Sequence, residues 1–154
     1  MIAEHLTAIT NGVQFDDDTY YNRLLINIPP GMMKSLMTNV FWPAWEWGPR
    51  NMPHLRYVCA SHSMNLAVRD STKMRRLIVS EWYQNLWGDR VILTGDQNAK
   101  TKFETTVTGF REAVAAGGIT GARGDRVIID DPLSVEDAAS DTVDRKSTRL
   151  NSSH

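Results

Sequence analysis

Arg23–Leu36 reads RLLINIPPGMMKSL. It opens on a short apolar run, Leu24, Leu25 and Ile26, with Ile28 beyond Asn27. The run is too short for a helix and suits a parallel strand, Arg23–Ile28, buried on both faces. Pro29 and Pro30 end that strand, because proline cannot donate to a ladder. Gly31 permits a tight turn, and Lys34-Ser35 opens a helix expected to run to Trp42. Strand, glycine turn, Lys-Ser, helix is the layout of a phosphate-binding loop. The first turn of such a helix offers free N–H groups and a positive dipole end to an anion. In that layout Pro30, Gly31, Met32 and Met33 wrap the phosphates. Lys34 reaches the outer phosphates and the Ser35 hydroxyl sits on Mg²⁺. The usual pattern is G-x-x-x-x-G-K-[ST], and Ile28 and Met33 stand here at its glycine positions. Taken alone, G-x-x-K-S equally describes a strand-to-helix turn with a surface lysine.

A second apolar run, Arg126–Ile129, ends in Asp130-Asp131-Pro132. An acid at the C-terminal end of a buried parallel strand is where nucleotide hydrolases hold Mg²⁺. Asp130 is therefore the candidate metal ligand, and Asp131 the candidate for polarising the attacking water. Glu136 is an alternative for that second role. As consecutive strand residues, the two aspartates are expected to point in different directions. A phosphate-loop lysine and a strand-end acid, with strand-helix segments between them, are more specific together than either is alone.

The chain has 154 residues, enough for one domain with a real core. Its 42% hydrophobic and 23% charged residues are ordinary for a globular protein. A net charge of −1 argues against an extended basic surface. The single Cys59 excludes a disulfide framework and a cysteine-based zinc site. No apolar run approaches the ~20 residues of a membrane span, and no signal peptide is visible, so an intracellular setting is expected.

Elsewhere, Ile2–Ile9 reads as an amphipathic helix stopped by Asn11-Gly12. Asp16-Asp17-Asp18 reads as a solvated acidic loop. Pro43 is expected to kink or end the helix from Lys34, and Trp42, Trp45 and Trp47 to pack in the core and at interfaces, the alternative being a base-stacking platform. His54–Ala60 reads as a strand. A helix capped by Ser61 or Ser63 follows, running to about Ser80, with Leu66, Met74, Leu77 and Ile78 on one face and Arg69, Lys73 and Arg76 on another. Glu81–Trp87 is a short helix closed by Gly88. Arg90–Leu93, Phe103–Thr108 and Phe110–Ala115 read as strands. The glycine-rich stretch Gly117–Asp125 precedes the second apolar run. Arg123 within it is a candidate for sensing the γ-phosphate or contacting DNA, the alternative being a loop arginine paired with Asp125.

Asp144–His154, DRKSTRLNSSH, has no periodicity and resembles an in-frame translation of a sequencing-library adapter. It is set aside from fold reasoning. The natural frame is expected to have been cut near Val143, leaving residues 1–143 as a partial domain that is expected to hydrolyse ATP poorly and neither to pump nor to cut DNA by itself.

With these residues in view, the chain resembles the ATPase domain of tailed-phage terminase large subunits. The resemblance rests on NIPPGMMKS, FWPAWEWG, ASHSMNLAVRDSTKMRRLIVSEWYQ, GGITGARGD and VIIDDP. It implies an α/β P-loop NTPase of the additional-strand type, with a mostly parallel sheet flanked by helices and truncated here. It implies ATP and Mg²⁺ as cofactors, with Lys34, Ser35, Asp130 and Asp131 in the roles given above. It also implies double-stranded DNA, a portal protein and a small terminase subunit as partners, a ring of identical subunits, and a place in the host cytoplasm and on the procapsid, with no membrane. Loops of the form PP-x-x-x-KS are characteristic of the family. Many members carry an arginine inside that loop and end the second motif in Asp-Glu; PPGMM and Asp130-Asp131 depart from both. The family's nuclease half is not represented, and no nuclease residues are assigned. A helicase-like or other additional-strand ATPase, and a non-hydrolysing nucleotide- or DNA-binding module, are the alternative readings.

Overall fold

The computed structural model describes residues 1–14, 16, 18–95 and 100–134. The tail, Glu136 and Asp17 lie outside them. The chain is an α/β fold: a four-stranded mixed sheet flanked by helices.

Helix α1 spans Ile2–Thr10 and buries Leu6. A helical stretch then begins at Lys34. It comprises α2 (Lys34–Leu36), a π turn (Met37–Phe41) and α3 (Trp42–Trp47). Strand β1 is Arg56–Ser61, followed by α4 (Met64–Ile78) and α5 (Glu81–Trp87). Strands β2 (Lys102–Glu104), β3 (Phe110–Ala115) and β4 (Arg126–Asp130) complete the sheet.

Strand β1 is central, pairing parallel with β3 on one side and with β4 on the other. Strand β2 joins β3 antiparallel at one edge, and β4 is the other edge. The register sets Ser61 beside Asp130, so β4 delivers its acid at the C-terminal end of the sheet. The core lies between the sheet and the helices. Trp47 and Tyr57 are fully buried in it, Phe103 almost so, and Trp47 meets Tyr57 and Phe103 edge-on at 6.2 and 5.9 Å. Helix α4 buries Ala67, Asp70, Ser71, Met74 and Ile78, one face at helical spacing.

Four expectations are corrected. Arg23–Ile28 is not a strand. It is irregular, and Leu25 is 93% exposed. Its side chains alternate between half-buried and exposed as an extended chain would, but no ladder joins it to another strand among the described residues. A cavity of about 730 Å³ separates it from β4. Pro43 does not end the helix, which continues to Trp47. The break in the hydrogen-bond ladder is absorbed one turn earlier by the π segment, where the Trp42 N–H bonds back five residues to the Met37 carbonyl. Arg90–Leu93 forms only one isolated bridge, Leu93 to Thr105. The Phe103–Thr108 strand stops at Glu104, because Thr105–Thr108 turn to bring the chain into β3. Gly109 ends that turn against Pro53, whose carbonyl oxygen would lie 1.9 Å from any Cβ placed there.

A buried polar knot ties the layers together. Glu46, fully buried on α3, accepts from Arg126 Nη2 at 2.8 Å and Nε at 3.2 Å. It also accepts from the Tyr57 hydroxyl and, at 2.7 Å, from Thr10. Trp42 Nε1 donates to Thr10 at 3.0 Å. Helices α1 and α3 and strands β1 and β4 thus share one charge-assisted cluster.

Candidate functional site

The chain takes left-handed backbone at Gly31 (φ 85°) and again at Met33 (φ 56°). Glycine adopts this freely, whereas methionine does so at a cost. Met33 is the N-cap of α2, so the turn ends where Lys34 begins. Backbone of this kind can aim successive N–H groups into one concavity. Pro30, Gly31, Met32 and Met33 are all exposed there, and Ser35 is half-buried on the first helical turn.

Lys34 reaches across to the end of β4. Its Nζ lies 2.9 Å from Asp130 Oδ1 and 2.7 Å from Asp131 Oδ1. The Asp130 side chain is only 11% exposed, whereas that of Asp131 is 62% exposed. Burial works against the charged lysine, but hydrogen bonds to Asp131 and then Asp130 outweigh it and raise its pKa. The two acids do not point apart. Asp131 takes φ 45°, which leaves strand geometry and turns its carboxylate back to the same lysine. His62 fixes that turn: its backbone N–H donates to the Asp131 carbonyl at 3.0 Å, and its Nδ1 lies 2.9 Å from the same oxygen.

Asp130 has a second buried partner. Asn39, on the π turn, donates from Nδ2 to Asp130 Oδ2 at 3.3 Å. The cavity beside β4 reaches this cluster. Asn22–Ile26 form one wall and Asp125–Ile129 the other, with Lys34 and Asp130 also lining it.

Arg123 is not brought to the cluster. It is exposed, in the segment that enters β4 at its N-terminal end. The acids leave at the C-terminal end, about 13 Å along the strand. Nor is Asp125 its partner. Asp125 grips Arg56, accepting from Nε and Nη2 at 3.0 Å each and from its backbone N–H at 2.9 Å. The Arg56 hydrogen bond holds the Asp125 carboxyl below its ordinary pKa.

The cluster suits a cation held together with phosphates. The lysine ammonium already occupies the space between two carboxylates, where a metal ion would be attracted. No group of three or more His, Cys, Asp or Glu side chains is gathered among the described residues. A bare divalent ion would find few ligands here. Mg²⁺ takes one or two carboxylates plus phosphate oxygens and water, a donor set that Asp130 and Asp131 could share with phosphates brought to Lys34.

Sequence reasoning missed Asn39 and His62. The signal for Asn39 was Pro43, four residues on. Proline has no N–H for the Asn39 carbonyl and disturbs the helix at that residue.

No protein-family model matches the chain, and no curated protein matches it. No helix among the described residues is long and apolar enough to cross a membrane.

Proposed function

We propose that this chain carries the nucleotide site of a P-loop ATPase of the additional-strand type, the motor domain of a terminase large subunit that packages viral double-stranded DNA. One observation carries the reading: Lys34, on the first turn after a glycine turn, meets both acids at the end of a parallel strand. A lysine so placed serves equally as counter-ion to the acids and as ligand for phosphate. Nucleotide binding exchanges one partner for the other. Lys34 then contacts the outer phosphates, and Asp130, the more buried acid, is freed to hold Mg²⁺ with Ser35. Mg²⁺, when bound with the nucleotide, neutralises charge building on the transferring phosphoryl group. Asp131, exposed and on a turn pinned by His62, is placed to orient water. The backbone from Gly31 to Met33 lines the phosphates.

The test is phosphate release from ATP, with and without double-stranded DNA. The wild-type chain turns over ATP slowly, and the rate is read with and without DNA. Asp131→Asn retains ATP binding and loses turnover by at least about a hundredfold. Unchanged turnover in Asp131→Asn rejects its role, and no turnover in the wild type under any condition rejects the ATPase reading.

A further inference from the structure

Asp130 has two carboxylate oxygens, and the structure gives each its own partner. Oδ1 faces Lys34 and Oδ2 faces the amide of Asn39. Asn39 is 3% exposed, so this amide belongs to the interior and not to a surface helix. Its place follows from local chain geometry. Pro43 removes the N–H that would bond the Asn39 carbonyl, and the helix widens into a π turn over Met37–Phe41. Within that widened turn, whose Trp42 N–H bonds back to the Met37 carbonyl, Asn39 sits five positions beyond Lys34 and reaches the acid that the lysine also meets. The freed carbonyl of Asn39 is met by Nη2 of Arg111, fully buried on β3, at 3.5 Å. Nε and Nη1 of that guanidinium have no hydrogen-bond partner among the described residues, so the Asn39 carbonyl is the one acceptor its side chain finds there.

We infer that Asn39 is the positioning residue for Asp130, holding Oδ2 from the interior so that Oδ1 is presented to the cation side of the nucleotide site. This rests on the nucleotide reading above. The rotation of a carboxylate about its last bond is soft and roughly two-fold. A buried carboxylate without a donor on its inner oxygen would turn to seek one. Asn39 supplies that donor from a rigid element. It is itself fixed between the proline, the π turn and Arg111. Partners of this kind, one step behind a metal ligand, tune its affinity by about 10- to 100-fold. Leucine at this site would fill the space and leave Oδ2 without a donor. Aspartate would set two carboxylates against each other.

The experiment measures Mn²⁺ binding in the presence of ADP by electron paramagnetic resonance, using the full chain. Asn39→Leu weakens Mn²⁺ by about 10- to 100-fold, while ADP binding in excess chelator stays at the wild-type level. Asn39→His, which keeps an N–H donor, recovers most of the loss. Asn39→Ser, too short to reach Asp130, behaves as the leucine variant and serves where leucine is not tolerated. Thermal unfolding confirms that each variant compared is folded. Wild-type Mn²⁺ affinity in the folded leucine or serine variant overturns the inference and leaves the nucleotide reading standing. An equal loss of metal-free ADP binding also overturns it, because Asn39 would then act on the whole fold. A wild-type chain that takes no Mn²⁺ with ADP overturns both.

Discussion

Lys34 and Asp131 are 97 positions apart in the sequence and 2.7 Å apart in space. No local preference places them there. The first stands on the opening turn of a helix, and the second follows the last residue of an edge strand. Strand β1 lies between the two elements in sequence and fixes β4 by register. The contact therefore reports the whole topology of this half of the sheet. Breaking the fold anywhere between them should separate the pair.

Glu46 is the residue most expensive to lose outside the site. It is fully buried and holds Arg126, Tyr57 and Thr10. Removing one partner of a buried ion pair leaves the other charge uncompensated, at a cost of about 3–5 kcal/mol. Glu46→Ala should lower the unfolding free energy by that amount in urea, with an unchanged dependence on denaturant concentration. A change below about 1 kcal/mol, the scale of an exposed pair, would show that the cluster is not closed to water.

Alkaline pH should weaken the fold. Burial, and then the charge of Glu46, push the Tyr57 hydroxyl well above its ordinary value. Burial pushes Tyr83 up as well. An unfolded tyrosine ionises near pH 10. The stabilisation from keeping these groups neutral is therefore intact below about pH 10 and is lost as pH rises towards their folded-state values. Unfolding free energy measured from pH 8 to 12 should fall above about pH 10, and less steeply in Tyr57→Phe. A flat profile would contradict the burial of these hydroxyls.

The outer edge of β4 should promote self-association. Val127 and Ile129, on the cavity wall opposite Asn22–Ile26, are 54% and 55% exposed, and β4 pairs only with β1 among the described residues. Exposed apolar edge strands template pairing with other chains. Sedimentation velocity at rising concentration should show the wild type associating and the doubly substituted Val127→Lys, Ile129→Lys chain remaining monomeric. Identical behaviour of the two chains would exclude this edge as the contact.

What was legible in the sequence were segments whose pattern answers to their own geometry. Helix α4 shows its buried face at helical spacing, and β4 ends where Asp130-Asp131-Pro132 breaks the apolar run. Strand β3 was legible to the residue, Phe110–Ala115. What failed depended on distant partners. Arg23–Ile28 has a strand's composition, but a strand exists only where a ladder forms, and none reaches it. Arg90–Leu93 failed for the same reason. The direction of Asp131 was misread because period-two alternation ends with the strand, and His62 then holds the residue in left-handed backbone. A place for Arg123 at the ligand-binding edge rests on its glycine-rich loop and on the lack of an arginine in PPGMM, and neither reports where a strand begins. The parallel pairing of β4 puts that segment at the opposite end. That Lys34, Asp130 and Asp131 belong to one place was legible from their motifs, and the structure brings them together. Asn39 was not legible, because its role comes from a proline four residues away and a strand end 91 residues away.

The nucleotide site depends most directly on whether Lys34 exchanges its two carboxylates for phosphate. Equilibrium titration of the chain with Mg²⁺ and a fluorescent ATP analogue measures this, for the wild type, Lys34→Ala and Asp130→Asn. Saturable binding is expected of the wild type, with affinity at least about a hundredfold lower in Lys34→Ala. Asp130→Asn is expected to lose only the Mg²⁺-dependent part. Equal affinity in the wild type and Lys34→Ala would mean that the lysine is merely a counter-ion to two acids, and the nucleotide site would have to be abandoned.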